Sequence, residues 1–194
     1  SAYVDGAEPG MFYNTVTKKL YDGAKGIEAI PCYYKLTFPE WAPFERKEGR
    51  PVSPDRGPEI LSQTKKDASG KDVLQNGNII ITTANHFVII LTTNGSDKAL
   101  IAMKSTQRKV SRGWNAMMKS IHEKGKNGTF NPPSFSHIYQ LRSVEISGNF
   151  TWYGYAVKLL RKVDNVDLYQ HAKAFHTSIK SVQAKAAKKD DINF

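Results

Sequence analysis

One cysteine, Cys32, occurs in 194 residues. A single thiol excludes an internal disulfide framework and any zinc site built from several thiolates, and it points to a reducing compartment. Long apolar runs are missing too: none approaches the roughly 20 residues needed to span a bilayer. The chain opens Ser1-Ala2-Tyr3, with neither a basic-then-apolar signal nor an initiator Met. The expectation is a soluble cytoplasmic protein, trimmed or processed at its N-terminus. Catalytic motifs are also absent: there is no Gly-x-x-x-x-Gly-Lys-Ser/Thr loop, no His-Glu-x-x-His and no Gly-x-Ser-x-Gly. His122 and Glu123 are adjacent, so on a helix they point to different sides, and His171 and His176 are five apart. No catalytic residue, metal or cofactor is expected.

Acidic residues are scarce in one half only. Residues 1–97 hold 11 Lys/Arg and 12 Asp/Glu, whereas residues 98–189 hold 17 and 4. The formal net charge of +10 therefore lies in the second half, and Asp190 and Asp191 follow it. Like charges repel as a chain compacts, so a one-sided excess fits a polyanion-binding face, with nucleic acid the commonest polyanion and an acidic membrane surface its rival.

Turn signals at Pro9-Gly10, Asp22-Gly23 and Gly26 frame a small opening hairpin. From Ile27 to Phe38, alternation puts Ile30, Cys32, Tyr34, Leu36 and Phe38 on one face of a long strand, with Pro31 at a bend or edge. Residues 39–77 are polar and rich in Pro, Gly, Asp and Lys, and read as a long functional loop. Trp41 and Phe44 in it are either anchors pinning the loop or exposed platforms, beside Arg46, Lys47 and Arg50. A β-branched run, residues 79–91, and Ala99–Met103 form a hairpin about Asn94-Gly95. Ser105 or Thr106 caps a helix whose apolar stripe is Val110, Trp114, Met117, Met118 and Ile121. Strands at 136–146 and 150–160 follow. A final amphipathic helix, capped near Asn165, carries Leu168, Ala172, Phe175, Ile179 and Val182.

Setting aside the hairpin and the last helix, the order is three strands, a helix and two strands. This predicts an α+β, mainly β fold: an OB-fold-like five-stranded barrel with its internal helix between strands three and four. The expected organisation is a barrel domain over 1–163, with the loop at 39–77, a C-terminal helix over 164–189 and an acidic tail at 190–194. The helix packs on the barrel or joins a homodimer.

Single-strand binders pair a cationic groove with aromatic faces on which bases stack. In the last strand, alternation assigns Tyr153, Tyr155, Val157 and Leu159 to the core. It leaves Phe150, Trp152, Gly154, Ala156 and Lys158 on an open face that combines two aromatics, small residues and a cation. Lys104, Arg108 and Arg112 lie along or near the internal helix, and Arg108 and Arg112, four apart, share a side. Phe130, past a Gly-rich turn, is placed to clamp a strand. With Trp41 and Arg46, these are the candidate nucleic-acid-binding residues, while Trp114 belongs to the core.

The ending Asp190-Asp191-Ile192-Asn193-Phe194 resembles the tail of bacterial and phage single-stranded DNA-binding proteins, where acidic residues precede a terminal Phe. It departs from that pattern in its brief acidic run and in Asn193, where the bacterial tail has Pro. The resemblance implies that Asp190, Asp191, Ile192 and Phe194 dock replication or recombination proteins and compete with DNA for the groove. Three further stretches look like a group of phage proteins associated with single-stranded DNA binding: Pro9 to Thr17, Gly26 to Cys32, and Pro133 to Tyr139. They imply a phage replication or recombination setting, in the host cytoplasm and away from membranes. Two other functions compete with this one. The first is a phage regulator that binds a host protein through its basic half. The second is a metal-dependent nuclease drawing on Asp55, Glu59, Asp67 and Asp72.

Overall fold

A computed structural model describes residues 4–43 and 49–190, with side chains through residue 183. The chain begins with a hairpin of β1 (Phe12–Tyr13) and β2 (Leu20–Tyr21). There follow β3 (Ile27–Thr37), β4 (Glu40–Trp41), a 3-10 helix at Pro58–Gln63, β5 (Lys65–Lys66), β6 (Asp72–Val73), β7 (Ile79–Ile80), β8 (Thr83–Thr92) and β9 (Gly95–Lys104). Helix α1 (Gln107–Ser120) leads into the hairpin of β10 (Glu123–Gly125) and β11 (Gly128–Phe130). The chain continues through β12 (His137–Ser147) and β13 (Thr151–Lys162) to α2 (Val166–Asp190). The structure is thus mainly β with few helices. Its largest sheet has the order β13-β12-β3-β8-β9, and among the described residues no sheet closes into a barrel. The expected barrel is corrected to this extent: β13 and β9 stand at opposite edges of an open sheet. No helix among the described residues is long and apolar enough to cross a membrane.

Two compact units divide the chain. One comprises Ser1–Tyr33, Phe87–Leu100 and Arg112–Phe194, and the other Tyr34–His86 and Ile101–Ser111. In the first unit the strands carry apolar residues at consecutive positions because both sheet faces are covered. On one face Ile30, Cys32, Ile89 and Ile138 pack with Phe135, Val163 and Ala172 of α2. On the other, Trp114 of α1 meets Tyr139 edge-on, ring centroids 5.7 Å apart, and both side chains are fully buried. Asn165 caps α2, its Oδ1 accepting the Leu168 N–H at 2.8 Å. The stripe of α2 is buried or half-buried as far as Ile179, but Val182 is 62% exposed.

Pro31 lies in a central strand rather than at an edge, beyond the stretch that pairs with β12, one of the strand's two neighbours. The β12 partners of β3 end at Ala29, two residues before it. Just beyond, the Cys32 carbonyl accepts a hydrogen bond from His176 Nδ1 at 2.6 Å.

The second unit revises the reading of residues 39–77 as a loop. These residues and their neighbours build a four-stranded sheet, β4-β7-β6-β5, on a core of Phe38, Ile60, Ile80 and Leu74. The β-branched run also divides: Ile79–Ile80 pairs with β4 and β6, while Thr83–Thr92 joins the large sheet. Between them, the Ile81 N–H donates to the Pro39 carbonyl at 3.1 Å. Glu40 is buried, and its carboxylate accepts from Asn78 Nδ2 at 2.6 Å and faces Arg56 Nε at 3.5 Å.

Candidate nucleic-acid interface

The second unit contains a cleft of about 900 Å³. Trp41, at the end of β4, supplies its aromatic wall, and Ile79, Ile81 and Pro43 add apolar surface. Lys66, Lys71 and Arg108 bring positive charge. The β5–β6 turn that carries the two lysines is stiffened by Asp67, whose Oδ1 accepts from Lys71 N–H, Ser69 N–H and the Ser69 hydroxyl, each at 2.8 Å. The Lys71 and Ser69 bonds hold the Asp67 carboxyl below the usual carboxylate range. Lys66 is neutralised by Asp72, with Nζ 2.8 Å from Oδ1. Arg108 reaches the cleft through a corner at Ser105, a non-glycine residue at φ 52° whose carbonyl accepts the Arg108 N–H at 3.1 Å. Non-glycine residues seldom adopt this left-handed region, and strain of this kind tends to gather at functional positions. Lys104 holds its ammonium 5.6 Å from the Trp41 ring centroid. Trp41 Nε1 is buried without an acceptor among the described residues.

Three of the sequence-derived residues, Trp41, Lys104 and Arg108, thus fall in or beside one cleft. Lys66 and Lys71 were missed. The signal for them was the Asp67-Ala68-Ser69-Gly70 turn, which sets lysines on both arms of a short hairpin.

The first unit carries a second aromatic surface. Along β13 the pairs Ile146↔Trp152, Val144↔Gly154 and Gln140↔Lys158 keep Trp152, Gly154, Ala156 and Lys158 on one face. Trp152 is 40% exposed, and its ring passes over Gly148 in the preceding turn. Phe150 is 82% exposed and precedes the strand. Two expectations on this strand are corrected. Tyr153, assigned to the core, is 44% exposed, because the β12–β13 ribbon runs on past the core to its turn. There it rests against Gly10, and its hydroxyl donates to Glu145 Oε2 at 3.3 Å. Gly154, assigned to the open face, is buried. A register shift opposite Ile138 and Tyr139 leaves Leu160 as an extra residue, and Leu160 packs into the α2-side core.

The other candidates are dispersed. Arg112 is exposed on α1 within the first unit, and Phe130 is exposed on β11, folded over Gly125 of its own hairpin. Phe44 and Arg46, Asp191, Ile192 and Phe194, and the side chain of Asp190 lie outside the described residues. The four acids considered for a nuclease do not converge. Burial raises the pKa of Asp55, but N–H groups of Phe38 and Gly57 and the Lys35 ammonium at 2.9 Å outweigh it, so the net shift is downward. Asp67 holds its turn, Asp72 pairs with Lys66, and Glu59 lies in the first turn of the 3-10 helix. Among the described residues no three His, Cys, Asp or Glu side chains are grouped to hold a metal ion.

Two reactive-looking groups are shut away. His86 Nε2 is 2.8 Å from Ser111 Oγ, but both residues are fully buried and so have no access to a substrate. Burial pushes the Cys32 thiol up to about 12, which suppresses the reactive thiolate.

The sequence matches the family described as Pam3 phage gp34-like protein over residues 1–185. The chain belongs to that family. Its members are phage proteins, which agrees with the phage resemblance of the stretches at 9–17, 26–32 and 133–139. For this Pam3 phage gp34-like chain, comparison with curated proteins and with solved structures returns no match.

Proposed function

We propose that this phage protein binds single-stranded DNA with little sequence preference, in support of phage replication or recombination. The observation that carries the reading is the pairing of Lys104 with the Trp41 ring beside a cleft that Lys71 and Arg108 also line. Single-strand binding needs aromatic faces for bases, each worth ~1–3 kcal/mol, and cations for phosphates. Phe150, Trp152 and Lys158 repeat this combination on the first unit. The net charge of +10 supplies long-range attraction for a polyanion. The sheet order β13-β12-β3-β8-β9, with α1 between β9 and β12 in sequence, supports an OB-type lineage opened between its third and fifth strands.

Titration with oligo-dT, followed by tryptophan fluorescence over a range of salt concentrations, tests this reading. The expected result is quenching, with an affinity that falls steeply as salt rises because each neutralised phosphate releases counterions. Absence of binding at low salt refutes it. A stoichiometric protein partner captured under conditions where no strand binds would favour the regulator instead.

A further inference from the structure

Resting on the single-strand reading, we infer that the cleft of the second unit receives one nucleotide turned out of the bound strand, with a phosphate on either side of it. A strand lying along a surface needs only a shallow groove. A base unstacked from its neighbours needs a cavity that surrounds it. The cleft is a half-open recess with room for such a base, since about 900 Å³ lies within the range of roughly 300–1,000 Å³ typical of small-ligand pockets.

Its chemistry divides in the same way as a nucleotide's. Trp41, Ile79, Ile81 and Pro43 present aromatic and aliphatic surface for the base. Of the three cations lining the cleft, Lys66 is already neutralised by Asp72. Lys71 and Arg108 make no salt bridge within 4.0 Å among the described residues, although Lys71 still feels the Asp67 carboxylate that braces its turn, and they come from separate elements, the β5–β6 turn and the first turn of α1. Two cations on separate elements beside one largely apolar wall match the two phosphates that flank a single nucleotide. The Asp67 turn and the Ser105 corner fix the backbone from which Lys71 and Arg108 project, which limits the ordering cost of binding to their side chains.

Thymidine 3′,5′-bisphosphate reproduces that unit, and calorimetry on the full chain at low salt measures its binding, with oligo-dT titrated in parallel. The bisphosphate should bind, thymidine and inorganic phosphate should each bind at least tenfold more weakly, and Arg108→Gln and Lys71→Gln should each weaken the bisphosphate about tenfold, the loss expected for one charge-assisted contact. Lys180→Gln, exposed on α2, serves as the control for general charge and should leave bisphosphate binding unaltered. Lys71 is exposed on its turn, so its variant keeps the test valid should Arg108→Gln fail to fold. Binding of oligo-dT without the bisphosphate overturns the single-nucleotide pocket and leaves the single-strand reading standing. Equal binding by both charge variants, or phosphate binding as tight as the bisphosphate, also overturns the pocket. Failure of oligo-dT itself removes the single-strand reading, and the inference with it.

Discussion

The Lys104 ammonium stands 5.6 Å from the centre of the Trp41 ring, so an exposed cation and a half-buried indole behave as one unit. Such a contact draws the charge toward the aromatic face while leaving it open to an anion. Lys104→Met should lower oligo-dT affinity at low salt by about two- to fivefold and reduce the slope of log affinity against log salt by about 0.7, the increment for one phosphate on a single strand. The melting temperature should scarcely change. Salt-dependent titration with a parallel thermal melt checks both, and an unaltered slope would separate Lys104 from the phosphates.

Trp152 and Trp114 should respond in opposite ways to truncation. Trp152 is 40% exposed on β13, so Trp152→Ala should cost ~1–3 kcal/mol of strand binding and little stability. Trp114 is fully buried against Tyr139, and Trp114→Ala should cost ~3–5 kcal/mol of stability. Urea unfolding and oligo-dT titration on both variants distinguish them. A large stability loss at Trp152 would make it a packing residue.

His86 predicts a pH dependence of stability. Burial pushes its pKa down from 6.5 to about 4, so the folded protein holds the ring neutral while the unfolded chain takes up a proton near 6.5. Between these values the unfolded state binds more protons, and stability falls as pH drops from 6.5 to 4, by ~3 kcal/mol in all. Above 6.5 both states are neutral and the contribution vanishes. His137 is shifted downward as well, chiefly by burial, and adds in the same direction. Unfolding midpoints at a series of pH values, compared with those of His86→Gln, should show a shallower slope for the variant in this window.

Gly23 is a packing requirement of the N-terminal region. A Cβ built there would collide with the Gly10 carbonyl oxygen and lie 2.7 Å from Ser143 Cβ, and a backbone oxygen cannot swing aside. The Gly23 carbonyl also accepts the Ser143 N–H at 2.8 Å. Gly23→Ala should therefore destabilise by ~1–3 kcal/mol. Hydrogen exchange should rise first at Ser143, and protection equal to that of the unsubstituted protein would contradict the close contact.

Much of the first unit was legible from periodicity. The apolar spacing of α2, its Asn165 cap, the 136–146 and 150–160 strands and the burial of Trp114 all follow from side chains a few residues apart. The 39–77 segment was not legible, because strands of two residues are too short to display alternation. Their pairing rests on Phe38, Ile60, Leu74 and Ile80, which form a core only when residues more than 40 positions apart meet. The exposure of Tyr153 was hidden for a related reason. Alternation reports which face a side chain occupies, not whether anything covers that face.

By itself the sequence determined the mainly β character, the concentration of positive charge after residue 97 and the presence of aromatic residues among cations, because these properties reside in composition and local spacing. Only the tertiary structure decided that residues 79–91 serve two different sheets, and that Trp41, Lys71 and Arg108 border one cleft. Those outcomes depend on packing between segments distant in the chain, which no local pattern encodes.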